Sequence, residues 1–322
     1  MKRLWILELK KLLKKRMNIG VITVCLLLVG ILFYLPVYQF IVLDTDGKQL
    51  TGTAAIAMNR EFVNTCAGRL TDEKICADIA AYQALFHDPE NVSKDTTKKT
   101  LTDRAYFKYI LPYSDYWKLI NGNYIAPCAY DSSFSAVVNM DLENGIDFYS
   151  ARDEKISTLL NQVYEDWNFS DSEKAFWLDR ISTVTIPYEY GYHTGWEMLF
   201  SCLELFVIGM IGICICVSGT FSGEYQSGAD SIILSSRYGK SKLLTAKILA
   251  AFAYSFFLFT LFLLIGCGIL LTGFGTDGWD LPVQVLNTIS PYDLSLAGAA
   301  VTAVGTLYLI LAGMVSFTLL LS

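Results

Sequence analysis

Four long apolar runs punctuate a chain of 322 residues, at 18–43, 196–221, 248–274 and 294–322. The first, third and fourth hold no Lys, Arg, Asp or Glu, and the second holds only Glu197 and Glu204. A helix needs about 20 apolar residues to cross a hydrocarbon layer ~30 Å thick, so each run predicts a transmembrane helix. Between the first two runs, residues 44–195 return to the mixed pattern of a water-soluble chain. Two short connections remain, 222–247 and 275–293, with residues 1–17 in front. The pattern specifies a mainly α, polytopic helical membrane protein with four predicted spans. An N-terminal interfacial helix and a mostly helical extracytoplasmic domain complete it.

In residues 2–16, Leu4, Trp5, Ile6, Leu9, Leu12 and Leu13 gather on one helical side and lysines on the other. A basic helix with an aromatic anchor lies along a membrane surface. A basic start before an apolar run also opens secretory signal peptides. Here the run exceeds a signal core of about 7–15 residues and no small-residue cleavage site follows, so it is expected to stay as a span.

The 44–195 stretch reads as helices with breaks between them. Ala54 to Arg69 has helical spacing and a stop at Gly68. Thr71-Asp72-Glu73 starts a second helix, with acids in the first turn to match the helix dipole, and that helix ends before Pro89. Residues 88–100 are polar and predict a loop. Further helical pieces are expected at 103–110, 115–120, 153–167 and 172–181, and turn residues in 121–148 suggest a short hairpin.

Charge orients the spans, because positive residues are retained in the cytoplasm. Residues 1–16 carry seven basic side chains and one acid, and the 222–247 connection carries Arg237, Lys240, Lys242 and Lys247 against Glu224 and Asp230. The 275–293 connection has Asp277, Asp280 and Asp293 and no basic residue. An even number of crossings then places the N terminus and 222–247 in the cytoplasm, with the large domain extracellular at the plasma membrane. That domain has 14 basic and 23 acidic residues, a net charge near −9. Such a surface disfavours nucleic acid. It either steers cationic ligands or is simply well solvated.

Of the eight cysteines, Cys25, Cys202, Cys214, Cys216 and Cys267 lie in predicted spans, where a thiol is a small apolar group. Cys66, Cys76 and Cys128 lie outside, where at most one internal disulfide can form. Cys66 with Cys76 is the nearest candidate pair, although spacing does not decide the pairing. With only His87 and His193 and no paired C-x-x-C, no metal site is expected. Asp44-Thr45-Asp46-Gly47 begins like a calcium loop, but Lys48 and Ala55 stand where that loop needs carboxylates. Glu204, the one acid well inside a predicted span, is a candidate functional acid or a hydrogen-bonded carboxyl between helices.

Residues 235–242, Ser-Ser-Arg-Tyr-Gly-Lys-Ser-Lys, contain the Gly-Lys-Ser that ends a phosphate-binding loop. The first glycine of that loop is missing, since Leu234 stands at its place, and no βαβ unit surrounds it. Without nucleotide or catalytic motifs, the chain is expected not to be an enzyme and to need no cofactor.

The wider segment from Phe221, FSGEYQSGADSIILSSRYGKSKLLTAKILA, resembles the loop after the second span in ABC-2 type ABC transporter permeases. The matching residues are Glu224, Gly228, Leu234, Ser235, Gly239, Lys240, Ala246 and Lys247. Asp230 and Ser235-Ser236 depart from the usual Thr or Ser and Ser-Pro. The basic N-terminal segment is similar to that family's elbow helix. The large domain is similar to that of its Firmicutes-type members, notably DGKQLTGTAAIAMNREFVNTCAGRLTDEKI. Family permeases have six spans, so with four this chain looks like one truncated after the fourth.

The resemblance implies a permease subunit exporting a peptide, lipid or drug-like substrate. ATP would be hydrolysed by a separate ABC ATPase subunit, and a second permease subunit would complete the pathway. It also implies that 222–247 forms a coupling helix docked on the ATPase. Ile232, Ile233 and Leu234 would supply the apolar docking face, Gly228 and Gly239 the turns, and the loop's basic residues, Lys240 among them, a hold on membrane lipid. Two other readings stand beside it: a membrane-anchored sensor whose acidic domain binds a ligand, and an intramembrane enzyme. No protease or hydrolase motif favours the enzyme.

Overall fold

The computed structural model describes residues 2–93, 100–127, 129, 131, 133–143, 145–162, 168–226, 228, 235 and 239–322. It is mainly helical. Four helical runs are long and apolar enough to cross a membrane, Arg16–Gln39, Leu203–Glu224, Ser241–Phe274 and Leu296–Leu321. At 1.5 Å per residue the shortest, 22 residues, is about 33 Å long, enough for the hydrocarbon layer. These are the features of a multi-pass membrane protein. The chain divides into two compact units, residues 1–37, 197–275 and 300–322 in the first, and 38–196 and 276–299 in the second.

The first unit holds α1 (Lys2–Lys14), most of α2 (Arg16–Gln39), α11 (Phe206–Val217), α12 (Gly219–Gln226), α13 (Leu244–Phe274) and most of α14 (Leu296–Leu321). Apolar burial alone does not hold helices together among lipid tails, so close packing and polar contacts decide the arrangement. Phe33 on α2 lies against Phe206 on α11 with ring centroids 4.6 Å apart, and Phe206 meets Phe259 on α13 at 6.1 Å. Gly266 makes room for this cluster: a Cβ there would stand 2.9 Å from the Phe206 ring and 3.0 Å from Phe33. Asn18 supplies the polar contact, donating from Nδ2 to the carbonyls of Leu12 (3.0 Å) and Cys216 (3.3 Å).

The second unit opens with a hairpin, β1 (Ile41–Leu43) antiparallel to β2 (Gln49–Thr51). The expected first span therefore ends at Gln39. Asp44 Oδ1 accepts from the amides of Asp46 and Lys48, and Gly47 takes φ +78°, so Asp-Thr-Asp-Gly makes the hairpin turn. Helix α3 (Gly52–Thr65) follows, and Gly68–Arg69 forms β3, paired with β4 (Glu189–Tyr190) rather than extending the helix. Thr71 caps α4 (Asp72–Ala84), its hydroxyl accepting from Lys74 N at 3.3 Å.

The core of this unit is rich in rings. Tyr82 stacks on Trp117 at 4.8 Å, and Tyr149 meets Phe148 and Tyr188 edge-on at 5.2 Å. The buried Tyr149 hydroxyl donates to Leu70 O and accepts from Tyr188 N, both at 2.8 Å.

Four more helices belong to this unit: α5 (Asp103–Tyr109), α6 (Ser114–Gly122), α8 (Phe148–Leu160) and α9 (Asp171–Ser182). Helix α8 starts five residues before the expected 153 because Asp147 caps it, its carboxylate accepting from Ser150 N (2.9 Å). No strand occurs among the described residues of 121–148. Instead, short helix α7 (Ser135–Val138) forms where Asp131 accepts from the amides and hydroxyls of Ser133 and Ser135. Those bonds outweigh the burial that would raise its pKa and hold the Asp131 carboxyl well below the usual range. Residues 94–99 of the expected loop, residues 163–167 of the helical piece expected at 153–167, and Cys128 lie outside the described residues.

Residues 276–299, read from sequence mainly as a short acidic connection, belong to this second unit. Thr288 Oγ1 donates to Asn123 Oδ1 (2.7 Å), Trp196 Nε1 donates to Asp277 O (3.1 Å), and Arg60 pairs with the Asp277 carboxylate (3.0 Å). Periodicity could not show this, because each contact joins residues at least 80 positions apart.

Candidate functional site

Three helices of the first unit converge on one lysine. Lys247 occupies the first turn of α13 and is 4% exposed. Its Nζ lies 2.6 Å from Glu224 Oε1 on α12 and donates to Thr220 O (2.8 Å), one turn earlier on the same helix. Glu8 Oε2 on α1 is 3.9 Å away, and Glu8 Oε1 also pairs with Lys11 at 2.5 Å. The Phe221 ring completes the surroundings, with its centroid 5.5 Å from Nζ. The buried Lys247 ammonium thus lies between two glutamates, one of which also pairs with Lys11.

Local sequence explains how each element delivers its group. Glu8, Lys11 and Leu12 of α1, with Lys15 just past its end, fall at helical spacing and line a cleft of about 170 Å³ with Gly219, Gly223 and Glu224. Leu12 is buried on the side that packs against α13, so Glu8, one turn away, is carried into the same contact. Taking such charges out of water costs several kcal/mol each, offset only when partners are close and bonded. The arrangement supplies those partners and locks three helices together at one point. Among the described residues, no three His, Cys, Asp or Glu side chains group as metal ligands.

Of the sequence candidates, Glu224 and Lys247 are brought together. Gly228, two residues past the end of α12, takes φ +68°, a conformation that favours glycine. Gly239 and Lys240 open a π-helical turn, Gly239–Leu243, that leads into α13. The Gly-Lys-Ser letters, residues 239–241, thus sit within a helical turn. Ile232, Ile233 and Leu234 lie outside the described residues, as do Asp230 and Arg237.

Two expectations are corrected. Glu204 is not well inside a span: α10 (Thr194–Ser201) ends before it, and it is the second residue of the run Leu203–Glu224. It sits in a 3₁₀ turn, with an exposed side chain. Cys66 and Cys76 are both free thiols. Cys66 shares a recess with Lys74 and Asp78 of α4, whereas Cys76, about 200° round that helix from Lys74, neighbours Tyr124. Burial pushes the Cys66 thiol up to about 11.

Sequence reasoning passed over Glu8 and Thr220. A signal for Glu8 existed: it is the one acid among seven basic residues, four positions before Leu12. Thr220 acts through its backbone carbonyl and carried none. Compared with known proteins, the chain matches no family model, no curated sequence and no solved structure.

Proposed function

We propose that the chain is the transmembrane permease subunit of an ABC-2 type transporter, exporting a peptide, lipid or drug-like substrate. A separate ABC ATPase subunit hydrolyses the ATP, and a second permease subunit closes the pathway. The chain itself performs no catalysis and binds no cofactor. In this reading α1 lies at the cytoplasmic membrane surface, residues 222–247 form the coupling loop, and the second unit is extracellular.

One observation carries the reading. Glu224 and Lys247, at the two ends of the 222–247 segment, are paired at 2.6 Å, and Glu8 brings α1 into the same cluster. A force on a loop clamped at its base passes into α1, α12 and α13 instead of dissipating in slack chain. Two further points agree. An even number of crossings puts the connections after spans one and three on one side, and both fold into one unit. The basic connections also fall on the opposite side from the acidic one, as charge retention requires.

The test is co-purification of the full chain with a candidate ABC ATPase subunit, comparing the parent with Glu224→Ala and Gly228→Pro. Both variants are expected to lose the ATPase while staying in the membrane fraction. Retention of the ATPase by both at the parent's level refutes the coupling-loop role.

A second reading, a membrane-anchored sensor, is favoured by one feature of the second unit. A recess of about 350 Å³ is walled by Tyr82, Tyr109, Tyr113, Tyr116 and Trp117, with Lys74 and Asp78 at its edge. Rings around a paired ammonium and carboxylate suit a small aromatic or zwitterionic ligand. A ligand that raises the melting temperature of the parent but not of Tyr113→Ala, with no ATPase bound, would favour the sensor.

A further inference from the structure

The second unit leaves large aromatic side chains in the open where its chain approaches α14. Trp279 is 60% exposed, although its carbonyl accepts from the amide of Ala297, the second residue of that helix, at 2.9 Å. Residues 279–283 and 294–297 run alongside each other, joined also by Leu296 N to Leu281 O (2.8 Å) and Val283 N to Leu294 O (2.9 Å). Tyr292 stands four residues before Leu296 and is 44% exposed. Four residues of extended chain reach at most about 13 Å, so these rings lie within reach of the layer that α14 enters.

Helix α9 is fastened to the same place. Trp177 meets the Tyr292 ring edge-on at 6.4 Å, the Arg180 guanidinium lies over that ring at 5.8 Å, and Thr185 Oγ1 donates to Asp293 at 3.1 Å. Ile156, Leu160 and Ile181 form a small core beneath α9, with Trp177 and Ile289 packed on it. Phe176, one turn before Arg180 and so on its side of the helix, is 58% exposed. No core contact accounts for that exposure. Trp279 and Tyr292 each have an apolar body and a polar tip and are most stable at the boundary between hydrocarbon and water. The wholly apolar Phe176 ring gains by leaving water for the apolar side of that boundary, and a nearby arginine reaches lipid phosphates while its stem stays in the apolar layer.

We infer that Phe176 of α9, with Trp279 and Tyr292, forms a membrane-contact surface of the second unit, seated in the lipid interface around the start of α14. The occupant is lipid, because this surface is continuous in chain with a helix that is long and apolar enough to cross the bilayer. The inference rests on the membrane-spanning character of α14 and is independent of any ATPase.

The test uses the full chain in phosphatidylcholine–phosphatidylglycerol vesicles, with and without brominated acyl chains, which quench only fluorophores at lipid depth. The first reporter is the emission lost on Trp279→Phe, and the second is the emission added by Phe176→Trp in that background. Both sites are more than half exposed and the changes conserve a ring, so the fold is expected to survive; flotation with the vesicles separates failure of this surface from failure to insert. Both emissions are expected to be quenched by brominated chains and protected from aqueous acrylamide. Quenching by acrylamide but not by bromine places the rings in water and overturns the inference. Protection from both assigns the surface to a protein partner and also overturns it. Bromine quenching of the Trp279 emission alone removes α9 from the surface.

Discussion

Lys247 Nζ lies 2.6 Å from Glu224 Oε1, and this one ion pair joins the two ends of the segment between the second and third spans. Lys247 is 4% exposed, so the pair is sheltered from the screening that weakens surface pairs. Its neighbours Glu8 and Thr220 make it a cluster rather than an isolated pair.

The cluster predicts an asymmetry between breaking and replacing it. Lys247→Ala leaves Glu224 and Glu8 facing each other without their shared cation, and is expected to destabilise the chain by about 3–5 kcal/mol. Replacing Lys247, Glu224 and Glu8 together by Met, Leu and Leu is expected to be close to neutral. Denaturant unfolding in detergent, followed by circular dichroism, separates the two. Equal losses for the single and triple variants would show that charge pairing is not what the cluster contributes.

Close packing in the first unit predicts a contrast between two glycines. Gly266→Ala pushes a methyl to 2.9 Å from Phe206 and 3.0 Å from Phe33, and overpacking of this kind costs about 1–3 kcal/mol. Gly305→Ala on α14 meets nothing within 4 Å and removes a residue of low helix propensity, so it is expected to be neutral or slightly stabilising. Melting temperatures of the two variants in one detergent check the difference in sign.

In the second unit, the Tyr149 hydroxyl serves two buried backbone groups, Leu70 O and Tyr188 N. Tyr149→Phe leaves both unsatisfied while keeping the ring contacts, and is expected to cost about 1–3 kcal/mol. Amide hydrogen exchange offers the local readout: protection at Tyr188 should fall more than protection in α9. A uniform change across the unit would count against a local role for the hydroxyl.

Asp131 makes part of this unit's stability depend on pH. Its folded-state pKa is depressed by bonds from Ser133 and Ser135. A depressed carboxyl contributes stability that is complete above its unfolded pKa, about 4, and lost as pH falls below that value toward the folded pKa. Asp131→Ala is therefore expected to lower the melting temperature at pH 7. Because the site is partly solvated, the cost should stay near 1 kcal/mol. The gap between variant and parent should narrow at pH 3, and a gap that is constant with pH would show that the carboxylate's charge is not involved.

What could be read without coordinates follows from local physics. An apolar run of about 20 residues allows little except a helix in lipid, and all four such runs became helices. Thr71 before Asp72 and Glu73 marked a helix start because the cap and the dipole act within one turn. The same locality explains the misses. The helix expected to run to Gly68 ends at Thr65, and only pairing with Tyr190, 122 residues later, made Gly68 part of a strand.

The sequence by itself therefore determined where the spans and most helices lie, since period and capping are properties of neighbours in the chain. The tertiary structure alone decided that Glu8 meets Lys247, that residues 276–299 complete the second unit, and that Cys66 and Cys76 stay apart. Each of these depends on the rotation of a helix about its axis or the meeting of distant segments. Those are set by packing and by the cost of leaving buried polar groups unpaired, not by the pattern of any one segment.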